Sequence, residues 1–229
     1  MTYTPYYDRA GVTLYHGDAL DVLPSLSVNA SMVITDPPYI TGVASFGENT
    51  CASGWGDVMN SAGFYAQVLG ESKRLTAQEQ GCAWIFNSWR SMPIMARASY
   101  LAQWAITSML IWDKEWIGAS GPRGLRSSYE MAALFCHAEF TIKDRSLPDI
   151  WRCKWHSHKP HGHPAEKPRA LIERMIQAAG GGLVIDPFCG SGTTLDAAQS
   201  VGVPAIGIEI EERWCEVAAR RLDQGSLFA

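Results

Sequence analysis

The chain has 229 residues, of which 47% are hydrophobic and 18% are charged, and its formal net charge is −4. This length is enough for one well-buried α/β domain and short for two, so we predict a single domain over residues 1–229. The apolar runs fall well short of the ~20 residues that span a bilayer, and the N-terminus lacks a basic-then-apolar signal pattern, which argues against a membrane protein and favours a cytoplasmic one.

Short apolar runs alternate with helical patterns along the chain. Strands are predicted at 12–16, 31–35, 82–87, 105–112, 129–136, 183–186 and 204–209. Helices are predicted near 19–26, 61–77, 91–102, 166–179, 192–201 and 211–223. This alternation predicts an α/β fold in which a mostly parallel, seven-stranded sheet is covered by helices on both faces. Because ligands of such sheets bind beyond the carboxyl ends of the strands, residues that directly follow a strand are the candidates for a site.

Three stretches fit neither pattern, at 40–60, 114–128 and 143–165. Long irregular segments in a compact domain are usually functional or disordered. Between Lys143 and Arg174 there are eight basic and four acidic residues, although the chain as a whole is acidic. A basic segment of this kind suits contact with phosphates, whereas a solvated surface loop has the same composition. Composition alone leaves both interpretations open.

The first candidate motif directly follows the predicted strand at 31–35 and consists of Asp36, Pro37, Pro38 and Tyr39. Two consecutive prolines fix φ and remove two backbone donors, which predicts a rigid rim with outward-facing carbonyls that lack local partners. Such a rim suits a planar group that bears an NH₂, because two acceptors can take its two hydrogens while the tyrosine stacks on its ring. A Pro-Pro turn that only closes a strand, with the tyrosine as packing, is the alternative.

The second motif is a glycine-containing turn, DPFCGSGTT, from Asp186 to Thr194. It lies between a predicted strand and a predicted helix, where glycines let the backbone approach a ligand and the helix start offers unpaired N–H groups. The third glycine of G-x-G-x-x-G and the ending GK[ST] are absent, which argues against a dinucleotide fingerprint and a phosphate-cradling loop. An ordinary strand-to-helix turn is the alternative.

An acidic residue, Glu209, ends the run PAIGIE about twenty residues beyond the glycines. At this spacing a carboxylate can accept hydrogen bonds from both hydroxyls of a ribose. The glutamate is weak evidence alone, and its spacing from the turn makes the prediction stronger.

These three motifs and three others resemble motifs of the amino-methyltransferases of DNA, and they occur in the order found in that family. The resemblance is to the permuted group, in which the catalytic tetrapeptide precedes the loop that binds S-adenosyl-L-methionine (AdoMet). HGDAL at 16–20 resembles the GD-x-L segment, HPAEKP at 163–168 the HP-x-EKP segment, DPFCGSGTT the AdoMet loop and IGIE the ribose-binding strand end. IWDKEWIGASGPRGLRSSYEMAALF is similar to the stretch K-x-x-x-G…R…YE-x-x-x-F. The resemblance covers most of the chain.

The resemblance implies a Rossmann-like AdoMet-dependent methyltransferase fold that is circularly permuted. The chain would start at the third strand of the usual order and end after the second, with one hairpin strand antiparallel. It also implies methyl transfer from AdoMet to the exocyclic amine of a base flipped out of double-stranded DNA. Adenine N6 is favoured because Asp rather than Ser begins the tetrapeptide, and cytosine N4 is the alternative.

Residue roles follow from the resemblance. Asp36 and the Pro37 carbonyl would accept hydrogen bonds from the amine, and Tyr39 would stack on the base. Lys167 and Pro168 would border the methionine end of AdoMet, with its adenine near Asp18. The full set expected to contact the cofactor is Asp18, Lys167, Pro168, Asp186, Pro187, Phe188, Gly190, Ser191, Gly192, Thr193, Thr194 and Glu209.

The partner expected from the resemblance is DNA. Four basic residues are candidates for phosphate contact: Arg123, Arg126, Lys154 and Lys159. A short segment at about 140–163 is the candidate DNA-recognition insert. We expect a bacterial or phage-encoded protein, a monomer or homodimer, and a cognate restriction endonuclease is a partner that the sequence leaves open.

Four alternatives remain at this point. A transferase that acts on RNA or on a protein glutamine is disfavoured, because such enzymes usually carry Asn-Pro-Pro-Tyr and the opposite motif order. The spacing C-x-x-H-x-H-x-x-H-x-H from Cys153 to His163 is crowded enough to ligate zinc, but it matches no common zinc pattern, and no metal is expected. A nicotinamide-dependent oxidoreductase is disfavoured by the missing third glycine and by the DPPY tetrapeptide. A non-catalytic DNA-binding relative is disfavoured because every matched motif position is intact.

Overall fold

The computed structural model describes residues 3–38, 55–76, 80–118, 123–155 and 166–225. Its strands are β1 (Tyr7–Arg9), β2 (Val12–His16), β3 (Met32–Thr35), β4 (Cys82–Asn87), β5 (Ile106–Asp113), β6 (Tyr129–Cys136), β7 (Ile150–Arg152), β8 (Val184–Asp186) and β9 (Ala205–Glu209). Its α-helices are α1 (Ala19–Val22), α2 (Trp55–Leu75), α3 (Met92–Leu101), α4 (Arg169–Ala179), α5 (Thr193–Ser200) and α6 (Glu212–Gly225). Within these ranges, no helix has both the length and the apolarity needed to cross a membrane.

The strands form one sheet in the order β1-β2-β9-β8-β3-β4-β6-β5-β7. Strands β2, β9, β8, β3 and β4 are mutually parallel, and β6 is antiparallel to both of its neighbours. Counted from β8, which precedes the glycine turn, the second strand is β9 and the third is β2. The chain therefore begins its main sheet at the third strand and ends after the second, so the predicted circular permutation and the antiparallel hairpin strand are confirmed.

The predicted number of strands was wrong, because the described sheet has nine strands and not seven. All seven predicted strands are present, and the two additional strands, β1 and β7, are three-residue strands at the two edges. Each of these short strands buries a single side chain, Tyr7 or Trp151, which is too little to give a periodic signal. Pairing with a longer neighbour, β2 or β5, is what makes them strands.

Two helix starts differ from the prediction by three residues or more. Helix α2 begins at Trp55, so it includes residues that were assigned to an irregular stretch, where glycine and asparagine weaken the helical signal. Helix α4 begins at Arg169 rather than at 166, because Pro168 has an extended backbone with φ −63° and ψ 129°. A residue before a proline is also pushed toward extended conformations, which keeps Lys167 outside the helix.

Buried side chains alternate between the two faces of the sheet, as the pleat of a strand requires. On one face, Met32 and Ile34 of β3 belong to a core that includes the apolar sides of α4, α5 and α6. On the other face, Val33 belongs to a second core with α1, α2 and α3. Helices cover both faces, as predicted, so the strand ends are the parts of the sheet that remain open to a ligand.

One edge of the sheet carries most of the predicted site residues. Because the central strands are parallel, their carboxyl ends meet at this edge, which we call the carboxyl edge. The antiparallel strand β6 starts there, since its register pairs Asn87 with Met131 and Asp113 with Tyr129. Charged side chains at the carboxyl edge include Asp18, Asp36, Lys114, Glu130, Asp186 and Glu209.

Candidate active site

Asp36 is the first residue after β3, and its two carboxylate oxygens have different environments. The ammonium of Lys167 donates to Oδ2 and forms an ion pair with it. Oδ1 is buried and has no hydrogen-bond partner among the described residues. A buried acceptor left without a partner costs free energy, so such atoms in native proteins call for an explanation, and a missing ligand is one. Oδ1 is therefore an acceptor that no described residue satisfies.

Lys167 belongs to a row of four alternating charges. Its Nζ lies 3.4 Å from Oε2 of Glu130, whose Oε1 lies 2.5 Å from Nζ of Lys114. The row therefore runs from Asp36 through Lys167 and Glu130 to Lys114, and the exposed fraction of each of these side chains is below a quarter. Below the ammonium of Lys167, the ring centroid of Phe86 is 5.0 Å away. Lys167 is thus held on three sides, by two carboxylates and an aromatic ring.

The protonation of this row follows from the contacts. Burial acts to lower the pKa of Lys167, but the carboxylates of Asp36 and Glu130 outweigh it, so this pKa is raised. Burial acts to raise the pKa of Glu130, but Lys167 and Lys114 outweigh it, so this pKa is lowered. Both groups therefore carry their charges at neutral pH.

The proline rim is anchored to helix α2. The hydroxyl of Tyr65 donates to the Pro38 carbonyl at 3.1 Å. The sequence predicts that the carbonyls of the rim lack local partners, and the donor to the Pro38 carbonyl lies on a helix, 27 residues away in the chain. Burial, and next the charge of Asp36, raise the pKa of Tyr65, which keeps this donor protonated. Pro37 is buried and Pro38 exposed, while Tyr39 lies outside the described residues.

The glycine turn depends on two backbone conformations that favour glycine. Gly190 has φ 52° and Gly192 has φ 78°, both in the left-handed region. A Cβ at Gly192 would also lie 2.8 Å from the Cβ of Ala218 in α6. Glycine is therefore required at position 192 both by its φ and by the close approach of a helix.

Asp186 connects the glycine turn to the strand that carries Asp36. Its Oδ1 accepts hydrogen bonds from Oγ1 of Thr35 at 2.7 Å and from the backbone N–H of Phe188 at 3.1 Å. Burial raises the pKa of Asp186 to about 6, against the opposing effect of these bonds and of Thr194. The ends of β8 and β3 are thereby fixed side by side, which places Asp36 next to the turn.

The other predicted carboxylates also lie at the carboxyl edge. Glu209 accepts from the backbone N–H of Gly190 at 2.9 Å and from that of Glu211 at 2.8 Å. Asp18 caps α1 and accepts from the N–H of Leu20 at 2.8 Å. A carboxylate has about four lone-pair sites, so each of these groups retains acceptor capacity for a ligand hydroxyl or amine.

A cavity of about 70 Å³ joins the two motifs, since Asp36 and the glycine turn both line it. Lys167 and Phe86 line it too. The remaining predicted residues of the turn are Pro187, Phe188, Ser191, Thr193 and Thr194, of which Phe188 is half-buried and the others buried. Phe188 also packs 5.8 Å from the ring of Phe64 in α2. Pro168 lies at the start of α4. The structure therefore brings Asp36, the first residue of the DPPY segment, together with the glycine turn.

Residues 30–220 match the DNA methylase family N6_N4_Mtase. The chain belongs to this family of DNA methylases. Among its relatives, the DNA adenine methyltransferase YhdJ of Escherichia coli (strain K12) is 27% identical over 255 residues, which cover 95% of this chain and 84% of YhdJ.

Two solved structures are similar to this DNA methylase in fold. The M1.HpyAVI–SAM complex gives a TM-score of 0.70 at 22% identity and covers 93% of this chain and 99% of that one. The PvuII DNA methyltransferase, which is cytosine-N4-specific, gives a TM-score of 0.75 at 17% identity and covers 96% and 89%. The predicted methyltransferase fold is thereby confirmed.

Sequence reasoning missed a buried ion cluster behind the site of this methylase. Arg221 of α6 lies 3.0 Å from Oε1 of Glu166 and 2.9 Å from Oδ2 of Asp196, and it also donates to Thr193 at 3.0 Å. Glu166 is the neighbour of Lys167 in the chain, so the cluster fixes the segment that delivers this lysine to Asp36. Helical periodicity places Arg221 beside the buried Ala218 and Leu222, but no local signal identifies Glu166 and Asp196 as its partners.

Three of the four candidate DNA contacts of the methylase lie within the described residues. Arg123 and Lys154 are exposed, and Lys159 lies outside the described residues. Arg126 is exposed but donates from Nε to the Gly118 carbonyl at 2.8 Å, so part of its guanidinium supports the backbone. Contact with phosphate stays a prediction for all four.

The zinc alternative falls largely on residues outside the described ranges, which include the four histidines of its pattern. Cys153 is described and half-buried. Within the part of the chain that the structure describes, there is no group of three or more His, Cys, Asp or Glu that could hold a metal ion.

Proposed function

We propose that this DNA methylase transfers the methyl group of AdoMet to the exocyclic N6 amine of adenine in double-stranded DNA. The observation that carries the proposal is the buried Oδ1 of Asp36, an acceptor without a partner among the described residues, in a cavity shared with the glycine turn. An NH₂ group is a donor of the kind that such an atom lacks.

AdoMet fits the residues along the carboxyl edge. The glycine turn offers close backbone approach beside Asp36, and the carboxylates of Glu209 and Asp18 retain acceptor capacity for the ribose hydroxyls and the adenine. The M1.HpyAVI neighbour was solved with SAM, which supports this cofactor for the shared fold. When bound, AdoMet supplies an electrophilic sulfonium methyl group. We propose the twelve cofactor residues predicted from the sequence as its binding set.

The base must leave the duplex to reach this site, at a cost of a few kcal/mol. Its amine would donate to Oδ1 of Asp36 and to the Pro37 carbonyl, which draws the nitrogen lone pair out of conjugation with the ring. Lys167 holds Oδ2, so the carboxylate keeps one orientation while Oδ1 faces the amine. Oδ1 is also placed to accept the proton that the methylated nitrogen releases. Tyr39 would stack on the base.

Adenine is favoured over cytosine by the aspartate that begins the tetrapeptide, and by a relative named as a DNA adenine methyltransferase. The test is mass spectrometry of nucleosides from DNA incubated with the chain and AdoMet. The expected product is N6-methyladenine, lost in Asp36→Ala while AdoMet binding, measured by calorimetry, persists. Detection of N4-methylcytosine alone would move the assignment to cytosine, and full activity of Asp36→Ala would overturn the catalytic role.

Contacts with DNA are part of the proposal. Arg123, Arg126, Lys154 and Lys159 are assigned to phosphates, and the segment at about 140–163 to recognition of the target sequence. We infer action in a bacterial cytoplasm on double-stranded DNA, and a restriction endonuclease that cuts the same site is a separate partner to look for. Modified-base sequencing of DNA from cells that express the chain would identify the site.

A further inference from the structure

The connection between β5 and β6 projects from the carboxyl edge beside Asp36. We call its described residues, 114–118 and 123–128, the β5–β6 arm. The two sides of the arm are joined by backbone hydrogen bonds, from the N–H of Lys114 to the Ser128 carbonyl at 2.9 Å and from that of Gly118 to the Ser127 carbonyl at 2.7 Å. Arg126 adds side-chain bonds to the opposite side. These bonds give the arm a defined backbone.

The arm presents an apolar side chain to solvent between two arginines. Leu125 is 99% exposed, the highest value among the large hydrophobic residues described. Arg123 and Arg126 on either side of it are exposed as well. Ile117 on the facing side of the arm is 51% exposed. A partner that covers this fully solvated leucine would gain stability from removing its apolar surface from water.

The base of the arm is tied to the catalytic carboxylate. Lys114 starts the arm, Glu130 lies just beyond its end, and the two form an ion pair at 2.5 Å. Glu130 in turn contacts Lys167, which holds Asp36. Leu125 therefore belongs to an element whose two ends, at Lys114 and next to Glu130, are held in a fixed position relative to Asp36. A side chain that must act at a set distance from a reacting base needs such a fixed attachment to the sheet.

DNA is the partner that these features fit. Extruding a base leaves a gap in the stack, and DNA-bending proteins commonly insert apolar side chains such as leucine between base steps. The positive charges of arginines beside such a side chain are complementary to the negative charges of the flanking phosphates. We propose that Leu125 enters the duplex and fills the space that the target base vacates, with Arg123 against a neighbouring phosphate. This inference rests on the proposed function.

The test compares Leu125→Ala with a conservative variant and a matched control. Leu125→Met keeps an apolar chain of similar length, and Leu101→Ala removes another exposed leucine at the end of α3, from which the chain enters β5 at the opposite edge of the sheet. Single-turnover methyl transfer is measured on oligonucleotide duplexes that carry the site mapped by sequencing. One duplex is fully paired, and the other has an abasic position opposite the target base, which makes extrusion easier.

We expect Leu125→Ala to slow transfer on the paired duplex about tenfold or more, and to recover most of the native rate on the abasic duplex. Leu125→Met and Leu101→Ala should stay within about twofold of native on both, a difference of ordinary size for surface substitutions. With 2-aminopurine at the target position, Leu125→Ala should give a smaller fluorescence rise on binding than the native chain. AdoMet binding should be unchanged in every variant.

Two results would overturn the inference while leaving the proposed function intact. One is a native rate for Leu125→Ala on the paired duplex. The other is an equal loss on both duplexes, which would indicate a general DNA contact rather than a wedge. Failure of the native chain to methylate either duplex would instead refute the proposed function, and the inference with it.

Discussion

The ammonium of Lys167 lies on one carboxylate oxygen of Asp36 and leaves the other, Oδ1, buried without a partner among the described residues. The sequence resemblance assigned Lys167 to the methionine end of AdoMet. In the structure the ammonium of Lys167 forms ion pairs with Asp36 and with Glu130. The lysine therefore acts on the orientation of Asp36, whatever contact it also makes with a cofactor.

Replacing Lys167 by Met removes the cation shared by Asp36 and Glu130. Asp36 would lose its cation, and Glu130 would keep only Lys114, although each of the two carboxylates is less than a quarter exposed. We expect the free energy of unfolding to fall by about 3–5 kcal/mol in urea titrations, and methyl transfer to fall about 100-fold, because Asp36 loses its fixed orientation. Lys167→Arg keeps the charge and should retain most of the stability. A Met variant as stable and active as the native chain would contradict this role.

The pH dependence of stability tests the same contacts. The pKa of Lys167 is raised above its usual 10.5 by Asp36 and Glu130, which outweigh its burial. A lysine whose pKa is higher in the folded state contributes stability that is fully present below about pH 10.5 and is lost as the pH rises through the folded pKa. In Glu130→Gln one of the two carboxylates is gone, so this loss should begin at lower pH.

Thermal unfolding of native and Glu130→Gln chains across this alkaline range measures the effect. Glu139→Gln removes an exposed carboxylate just beyond the other end of β6 and serves as the control. Identical alkaline profiles for the native chain and both variants would show that Glu130 does not act on Lys167.

Replacing glycine by alanine should have different effects on stability in the glycine turn and in α2. Gly192→Ala forces an alanine into a left-handed backbone conformation, and its Cβ would lie 2.8 Å from the Cβ of Ala218. We expect a loss of about 1–3 kcal/mol in stability and weaker AdoMet binding by calorimetry, because the turn must shift. Gly63→Ala in α2 meets no atom within 4 Å, so it should be neutral or stabilise by up to about 1 kcal/mol. Equal effects of the two substitutions would refute the requirement.

Two neighbouring arginines of α6, one exposed and one buried, should contribute very differently to stability. Arg221→Met leaves Glu166 and Asp196 buried without their shared guanidinium, and we expect a loss of about 3–5 kcal/mol. Arg220→Met removes an exposed pair with Glu216, which should cost no more than about 0.5 kcal/mol. Urea unfolding of both variants measures the difference. A small loss at Arg221 would mean that the cluster is not needed to hold the Glu166 segment.

The sequence was sufficient to predict the seven main strands and the edge at which the motifs meet. Apolar runs such as CAWIFN at 82–87 are local signals, and a motif that follows a parallel strand is bound to lie at the carboxyl edge. That rule predicts that Asp36 and the glycine turn share an edge, and the family resemblance implies that they lie side by side. The Thr35–Asp186 hydrogen bond shows how closely the two strand ends are joined.

Contacts between distant parts of the chain were not predictable from local patterns. Tyr65 meets the Pro38 carbonyl, and Arg221 meets Glu166, because packing brings separate elements together. Neither pairing leaves a trace in spacing or periodicity. The edge strands β1 and β7 escaped prediction for a related reason, since each owes its conformation to the strand beside it.

The first strand and the last helix of the described residues are in contact, and this bears on how motif orders are compared between such proteins. Tyr7 of β1 donates to Asp223 of α6 at 3.2 Å, so the first strand and the last helix are neighbours. A short linker there, with a break made in another loop, would yield a polypeptide whose motifs run in a different order around an unchanged sheet. The order of motifs along a sequence therefore depends on which loop of the fold contains the chain termini. The chemistry depends on which strands lie side by side.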